Sequence, residues 1–136
     1  MFRRFALTLA LVTLAQGGLA QDYLPFQSPT GNIGCAIMLG DPAEVRCDLR
    51  AFTPSFAEKP ADCDVDWGFA FVVGTSGPGR PICAGDTVMI SDAPVLDYGQ
   101  SIAAGGFTCL SEPTGMTCTN SQGHGFTIAR AAQQVF

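Results

Sequence analysis

Gly106-Phe-Thr-Cys109-Leu-Ser-Glu-Pro-Thr-Gly115-Met-Thr-Cys118-Thr-Asn-Ser-Gln-Gly-His124-Gly-Phe-Thr-Ile-Ala129 is the stretch whose reading decides the fold. Aromatic residues, β-branched residues and threonines recur in short runs, broken by Pro-Thr-Gly and by a second glycine-rich turn. The pattern predicts three short strands joined by two tight turns. If Glu112-Pro113-Thr114-Gly115 is a four-residue loop, Ser111 faces Met116 and Cys109 faces Cys118. A cross-strand disulfide is therefore expected in the first hairpin, and the chain's one histidine falls in the second turn.

The same argument works near the start of the chain. Ile33, Cys35, Ile37 and Leu39 alternate with Gly34, Ala36 and Met38; after the break at Gly40-Asp41-Pro42, Ala43, Val45, Cys47 and Leu49 alternate with Glu44, Arg46 and Asp48. Folded antiparallel with Cys35 opposite Cys47, the pairs become Ile33–Leu49, Ile37–Val45 and Leu39–Ala43, all apolar, and the three charged residues share the other face. A slip of one residue would bring those charges into the core, so the register is well specified. Cys63 and Cys83 remain to pair with each other, as a staple between loops rather than across a hairpin.

Between these hairpins, Trp67 to Gly74 is apolar on both faces and predicts a central buried strand. Residues 51–61, with Phe52 and Phe56 between prolines, predict an ordered loop with aromatic anchors and one helical turn after Thr53-Pro54. Thr87–Ile90 predicts a short strand, and Ala129–Val135 has the composition of a short helix. A Pro-Thr-Gly echo links Pro29-Thr-Gly-Asn-Ile-Gly-Cys35 with Pro113-Thr-Gly-Met-Thr-Cys118, from duplication or from convergent turn chemistry. The expected fold is all-β: a small disulfide-stapled sandwich or barrel of short antiparallel strands, with a short C-terminal helix allowed.

Residues 1–20 read as a signal peptide. Arg3 and Arg4 precede an uncharged apolar run from Phe5 to Ala15, and Gly18 and Ala20 supply small residues before a cleavage point after Ala20. The run is too short for a bilayer, which needs about 20 residues; an uncleaved anchor is the alternative. A single domain over residues 21–136 follows, secreted to the periplasm or outside the cell, and six cysteines in a small exported chain predict three disulfides. Losing Arg3 and Arg4 leaves five basic against twelve acidic residues, a net charge of −7. That balance argues against nucleic acid, which rewards clustered Lys and Arg. It also argues against an anionic membrane surface; no stretch after residue 20 is long or apolar enough for membrane insertion after cleavage, and an unidentified envelope or extracellular partner is left.

Candidate chemistry is sparse. His124, flanked by Gly123 and Gly125, is accessible in its turn but has no nucleophile or orienting group nearby in sequence. The turn formed by Asn120, Gln122, Gly123, His124, Gly125 and Phe126 is the candidate binding surface. Asp62, Asp64 and Asp66 alternate and are candidate ligands for a hard cation. An EF-hand does not fit, because the glycine comes seventh, at Gly68, and the twelfth position is Val73. Asp86 is expected as a turn or cap residue, and Gly77-Pro78-Gly79 lacks the lysine of a phosphate loop. No cofactor is expected.

Phe26-Gln-Ser-Pro-Thr-Gly-Asn-Ile-Gly-Cys35, Val45-Arg-Cys-Asp48, Asp66-Trp-Gly68, Cys83-Ala-Gly-Asp-Thr87, Tyr98-Gly99 and the Cys109–Phe126 stretch ending Gly-His-Gly-Phe resemble a family of small exported bacterial proteins of unknown function, found in actinobacteria and proteobacteria. The resemblance implies secretion and paired cysteines, and carries over no catalytic residue. The expected function is a β module that binds at the cell envelope. The alternatives are a small hydrolase using His124 with an aspartate, or a periplasmic inhibitor presenting the loop Thr75–Pro81.

Overall fold

The computed structural model describes residues 22–136; the signal peptide expected at residues 1–20 lies outside them. Ten strands follow one another: β1 (Tyr23–Gln27), β2 (Ile33–Met38), β3 (Glu44–Leu49), β4 (Ala70–Gly74), β5 (Arg80–Pro81), β6 (Ser101–Ala104), β7 (Phe107–Glu112), β8 (Gly115–Thr119), β9 (Gly125–Ile128) and β10 (Gln133–Val135). β1 to β5 form one antiparallel sheet in sequence order, and β6 to β10 form a second. The sheets are open at their edges and stack as a sandwich, not a barrel.

Both hairpin registers follow the alternation of the sequence. Ile33 pairs with Leu49, Cys35 with Cys47 and Ile37 with Val45. Cys109 pairs with Cys118 and Ser111 with Met116. Disulfides join Cys35 to Cys47, Cys109 to Cys118 and Cys63 to Cys83. The first two lie on the inner faces and touch across the sandwich, with Cys47 Sγ 3.7 Å from Cys118 Sγ. Phe71 meets Phe126 beside them at 6.3 Å between ring centres, and Phe56 from the 51–61 loop meets Phe71 edge-on at 5.7 Å. Successive strand side chains alternate between faces, so Ile37, Val45, Val73, Phe107, Met116 and Ile128 join this same interior.

The first sheet is buried on its outer face as well. Residues 83–90 lie across it: Met89 sits against Gly34, and Val88 and Thr87 reach Asp48. Ala36, Asp48, Ala70 and Val72 are consequently buried. The Cys63–Cys83 bond and the adjacent Asp66–Ala84 backbone bridge hold this covering segment at its start.

Four local expectations need correction. The described residues contain no helix. Ala129–Val135 instead turns and forms β10 against β9. Seven residues are too few for a helix to persist alone. Gln133, now buried, uses its side chain to donate to the Thr53 and Ala129 carbonyls and accept from the Ser55 amide. The segment after Thr53-Pro54 makes no helical turn. Thr87–Ile90 is not a strand, because its polar groups bond to a carboxylate instead of to a neighbouring backbone. The strand expected from Trp67 begins only at Ala70, since Gly68 has a φ of +89° and interrupts the extended chain.

Strand directions divide the loops between two ends. The β1–β2, β7–β8 and β9–β10 turns share one end; the β2–β3, β4–β5, β6–β7 and β8–β9 turns share the other. Both Pro-Thr-Gly turns therefore stand at the same end, and His124 at the opposite one.

Candidate functional site

The β8–β9 turn is built around Asn120. Its buried side chain donates to the carbonyls of Gly74 and Gly77, each at 3.0 Å, and accepts from the amides of Gln122 (3.0 Å) and His124 (3.1 Å). All four hydrogen-bonding positions of the amide are thus used inside the protein. Gly123 has a φ of +79°, a conformation that side chains disfavour. A Cβ on Gly125 would overlap the carbonyl oxygen of Cys118, and one on Gly79 would overlap the carbonyl oxygen of Gly125. Phe126 is fully buried. The Gly-His-Gly-Phe motif is thereby accounted for by packing, the histidine excepted. Gln122 and Gly123 are exposed and His124 is half-buried. The His124 ring makes no hydrogen bond or ion pair with any described residue, so a catalytic pairing with an aspartate is not assembled around it. In the Thr75–Pro81 loop Thr75, Ser76, Pro78 and Arg80 are exposed, and Asn120 and Gln122 hold it at Gly77.

Asp62, Asp64 and Asp66 are all exposed and do not lie on a strand. Among the described residues, the one set of three His, Cys, Asp or Glu whose ligand atoms converge is Cys35, Cys47 and Cys118, all of them in disulfides.

The outer face of the first sheet carries an ion cluster that the sequence reading did not assemble. Arg46 and Asp48 stand two apart on β3 and so share a face. Arg46 Nε lies 2.8 Å from Asp48 Oδ1 and Nη2 3.1 Å from Oδ2; Nη1 reaches Asp86 Oδ1 at 2.9 Å. Thr87 Oγ1 and the Val88 amide complete the shell of Asp48, which has no solvent exposure. Burial opposes the Arg46 charge, but the bonds to Asp48 and Asp86 outweigh it and raise its pKa further. The hydrogen bond from Arg46 holds the Asp86 carboxyl below the usual carboxylate range. The cluster fastens residues 86–88 to the sheet: Asp48 is fully enclosed, and of the two carboxylates only that of Asp86 reaches solvent.

A cavity of about 360 Å³ opens at the other end of the sandwich from His124. The β1–β2 turn supplies Ser28, Thr30 and Asn32, the β7–β8 turn Glu112 and Pro113, and the β9–β10 turn Arg130; Tyr98 reaches in from the loop before β6. Its size falls in the range of small-molecule sites, roughly 300–1,000 Å³. Ser111 continues the inward row Phe107, Cys109, Ser111 on β7 and retains 1% of its exposure. It lines the cavity between the two sheets. Among the described residues the one buried side-chain nitrogen or oxygen without a hydrogen-bond partner is Trp67 Nε1, which is not on this lining. The signal for Ser111 was present in the register: a serine at an inward position opposite Met116.

A second, apolar cavity of about 210 Å³ lies along the edge formed by Leu24, Phe26, Leu96 and Ile102, with Val95 exposed at its rim. No curated protein and no solved structure matches the chain. Residues 6–136 match the family of unknown function DUF6636, and with nearly the whole sequence covered, the chain belongs to that family.

Proposed function

We propose that the protein is an exported β-sandwich that binds a small ligand in the cavity between its two Pro-Thr-Gly turns. The observation that carries this reading is the cavity itself, about 360 Å³, walled by three turns and carrying Ser111, Tyr98, Glu112 and Arg130 on its lining. Three disulfides and the basic, apolar, small-residue order of the N-terminus support a place outside the cytoplasm. The exposed tip of the β8–β9 turn is a second candidate surface, for a protein partner, because Asn120 fixes its backbone while the His124 ring bonds to no described residue.

Amide NMR shift mapping separates the two. The disulfide-intact protein is titrated with a defined set of amino acids, dipeptides, monosaccharides and disaccharides. Shifts centred on Ser111, Gly115 and Ala129, abolished by Ser111→Val, are expected. Shifts centred on Gln122 to Gly125 would favour the turn, and no shift with any compound would remove the cavity as a site.

A further inference from the structure

Resting on that reading, we propose that the ligand is a small zwitterion carrying an apolar side chain, an amino acid or a dipeptide. The wall formed by the β1–β2 turn is already satisfied. Ser28 Oγ accepts from the Ile33 amide and lies 3.3 Å from Thr30 Oγ1, which itself accepts from the Asn32 amide. The Asn32 side chain is spent on both backbone groups of Ala51. Three polar groups on the lining are exposed and make no hydrogen bond or ion pair with a described residue: the Tyr98 hydroxyl, the Glu112 carboxylate and the Arg130 guanidinium.

The lining thus holds one negative and one positive side chain, and they do not pair with each other. A simple anion would meet Arg130 but be repelled by Glu112; a simple cation would meet the reverse. A neutral sugar would leave both charges unused. A ligand with a carboxylate and an ammonium group answers both, with the carboxylate on Arg130 and the ammonium on Glu112. Ile33, Met116 and Pro113 supply apolar wall for a side chain between them. Both charges stand on fixed backbone. Glu112 pairs with Gly115 across the β7–β8 hairpin, and the Arg130 carbonyl accepts from the Thr53 amide at 2.8 Å. Positioning on rigid elements is what discrimination by charge requires. The volume restricts the occupant to roughly a dipeptide.

The test uses alanyl-leucine, its N-acetyl form, its C-terminal amide and maltose, each titrated into the disulfide-intact protein by calorimetry and by amide NMR. Alanyl-leucine should bind, and each cap should weaken it about tenfold or more. Glu112→Gln should weaken alanyl-leucine but not the N-acetyl form, and Arg130→Gln should weaken it but not the amide. Both residues are exposed, so neither substitution threatens the fold. Alanyl-leucine binding indifferent to the caps overturns the zwitterion. If maltose alone shifts Ser111, Gly115 and Ala129, the cavity stands as a site and the ligand class falls. If neither compound does so, both readings fall.

Discussion

Asp48 is the residue on which the first sheet's outer face depends. Four hydrogen bonds converge on its carboxylate, and Arg46 is buried only because Asp48 answers it. Removing one partner of a buried pair leaves an uncompensated charge and typically costs about 3–5 kcal/mol. Urea denaturation should therefore show Asp48→Ala losing about that much, while Asp86→Ala loses no more than about 1 kcal/mol, because the Asp86 side chain is 80% exposed and its pair is screened by water. Equal losses would mean that Arg46 is not held as described. The acid behaviour has a definite sign. Asp86 titrates below its ordinary range when folded, so its contribution is complete above about pH 4 and fades as the pH falls through the lowered value. Asp86→Asn should accordingly flatten the acid limb of a stability–pH profile and leave neutral stability within about 1 kcal/mol of the parent. The sequence did place Arg46 and Asp48 away from the apolar pairs. It did not reveal that this face is covered, because the cover comes from residues some forty positions away, brought in by a loop staple. Ser111 was legible in the opposite sense: its inward position could be read from the register, whereas the empty space in front of it depends on three turns meeting.

At the scale of the element, the β8–β9 hairpin shows why the Gly-His-Gly-Phe motif takes the form it does. The two glycines serve different needs, one a left-handed backbone and the other a close approach between chains. Gly123→Ala should cost about 1–2 kcal/mol in thermal or urea unfolding, the ordinary penalty of a left-handed alanine. Gly125→Ala should cost about 3 kcal/mol or more, since its Cβ would overlap backbone that has nowhere to move within the sheet. His124→Ala should change stability by less than about 0.5 kcal/mol, because its ring bonds to nothing described. A large loss at His124 would show that the ring has a structural partner. Hairpins of this kind were readable residue by residue, since alternation and paired cysteines fix a register. The C-terminal element was not. The propensity of Ala-Arg-Ala-Ala-Gln-Gln favours a helix, but the buried bonds of Gln133 to the 53–55 loop and the open edge of β9 decide for a strand. Local propensity yields to tertiary bonding when the segment is this short.

The molecule as a whole repeats a topology more clearly than a sequence. Each half is a five-stranded antiparallel meander with a disulfide between its second and third strands. The Pro-Thr-Gly echo does not align with these halves: it falls between the first and second strands in one and between the second and third in the other. What the two echoing turns share is an end of the sandwich and a cavity wall. The three disulfides differ in access. Cys35, Cys47, Cys109 and Cys118 have no exposure, and their sulfurs are enclosed between the sheets, whereas Cys83 is exposed at the start of the covering segment. A reductant needs access to sulfur, so Cys63–Cys83 should open first. Timed reduction under native conditions, with alkylation and mass mapping, should give a dominant species labelled at Cys63 and Cys83 alone. In that species hydrogen exchange should quicken for residues 83–90 while β7, β8 and β9 keep their protection. Only the link between loops is lost there; the sandwich retains its two inner bridges, each of which typically stabilises a small domain by about 2–5 kcal/mol. Labelling of Cys47 and Cys118 before Cys83 would mean that the sheets part more readily than the cover lifts, and the layered order described for the first sheet would have to be reversed.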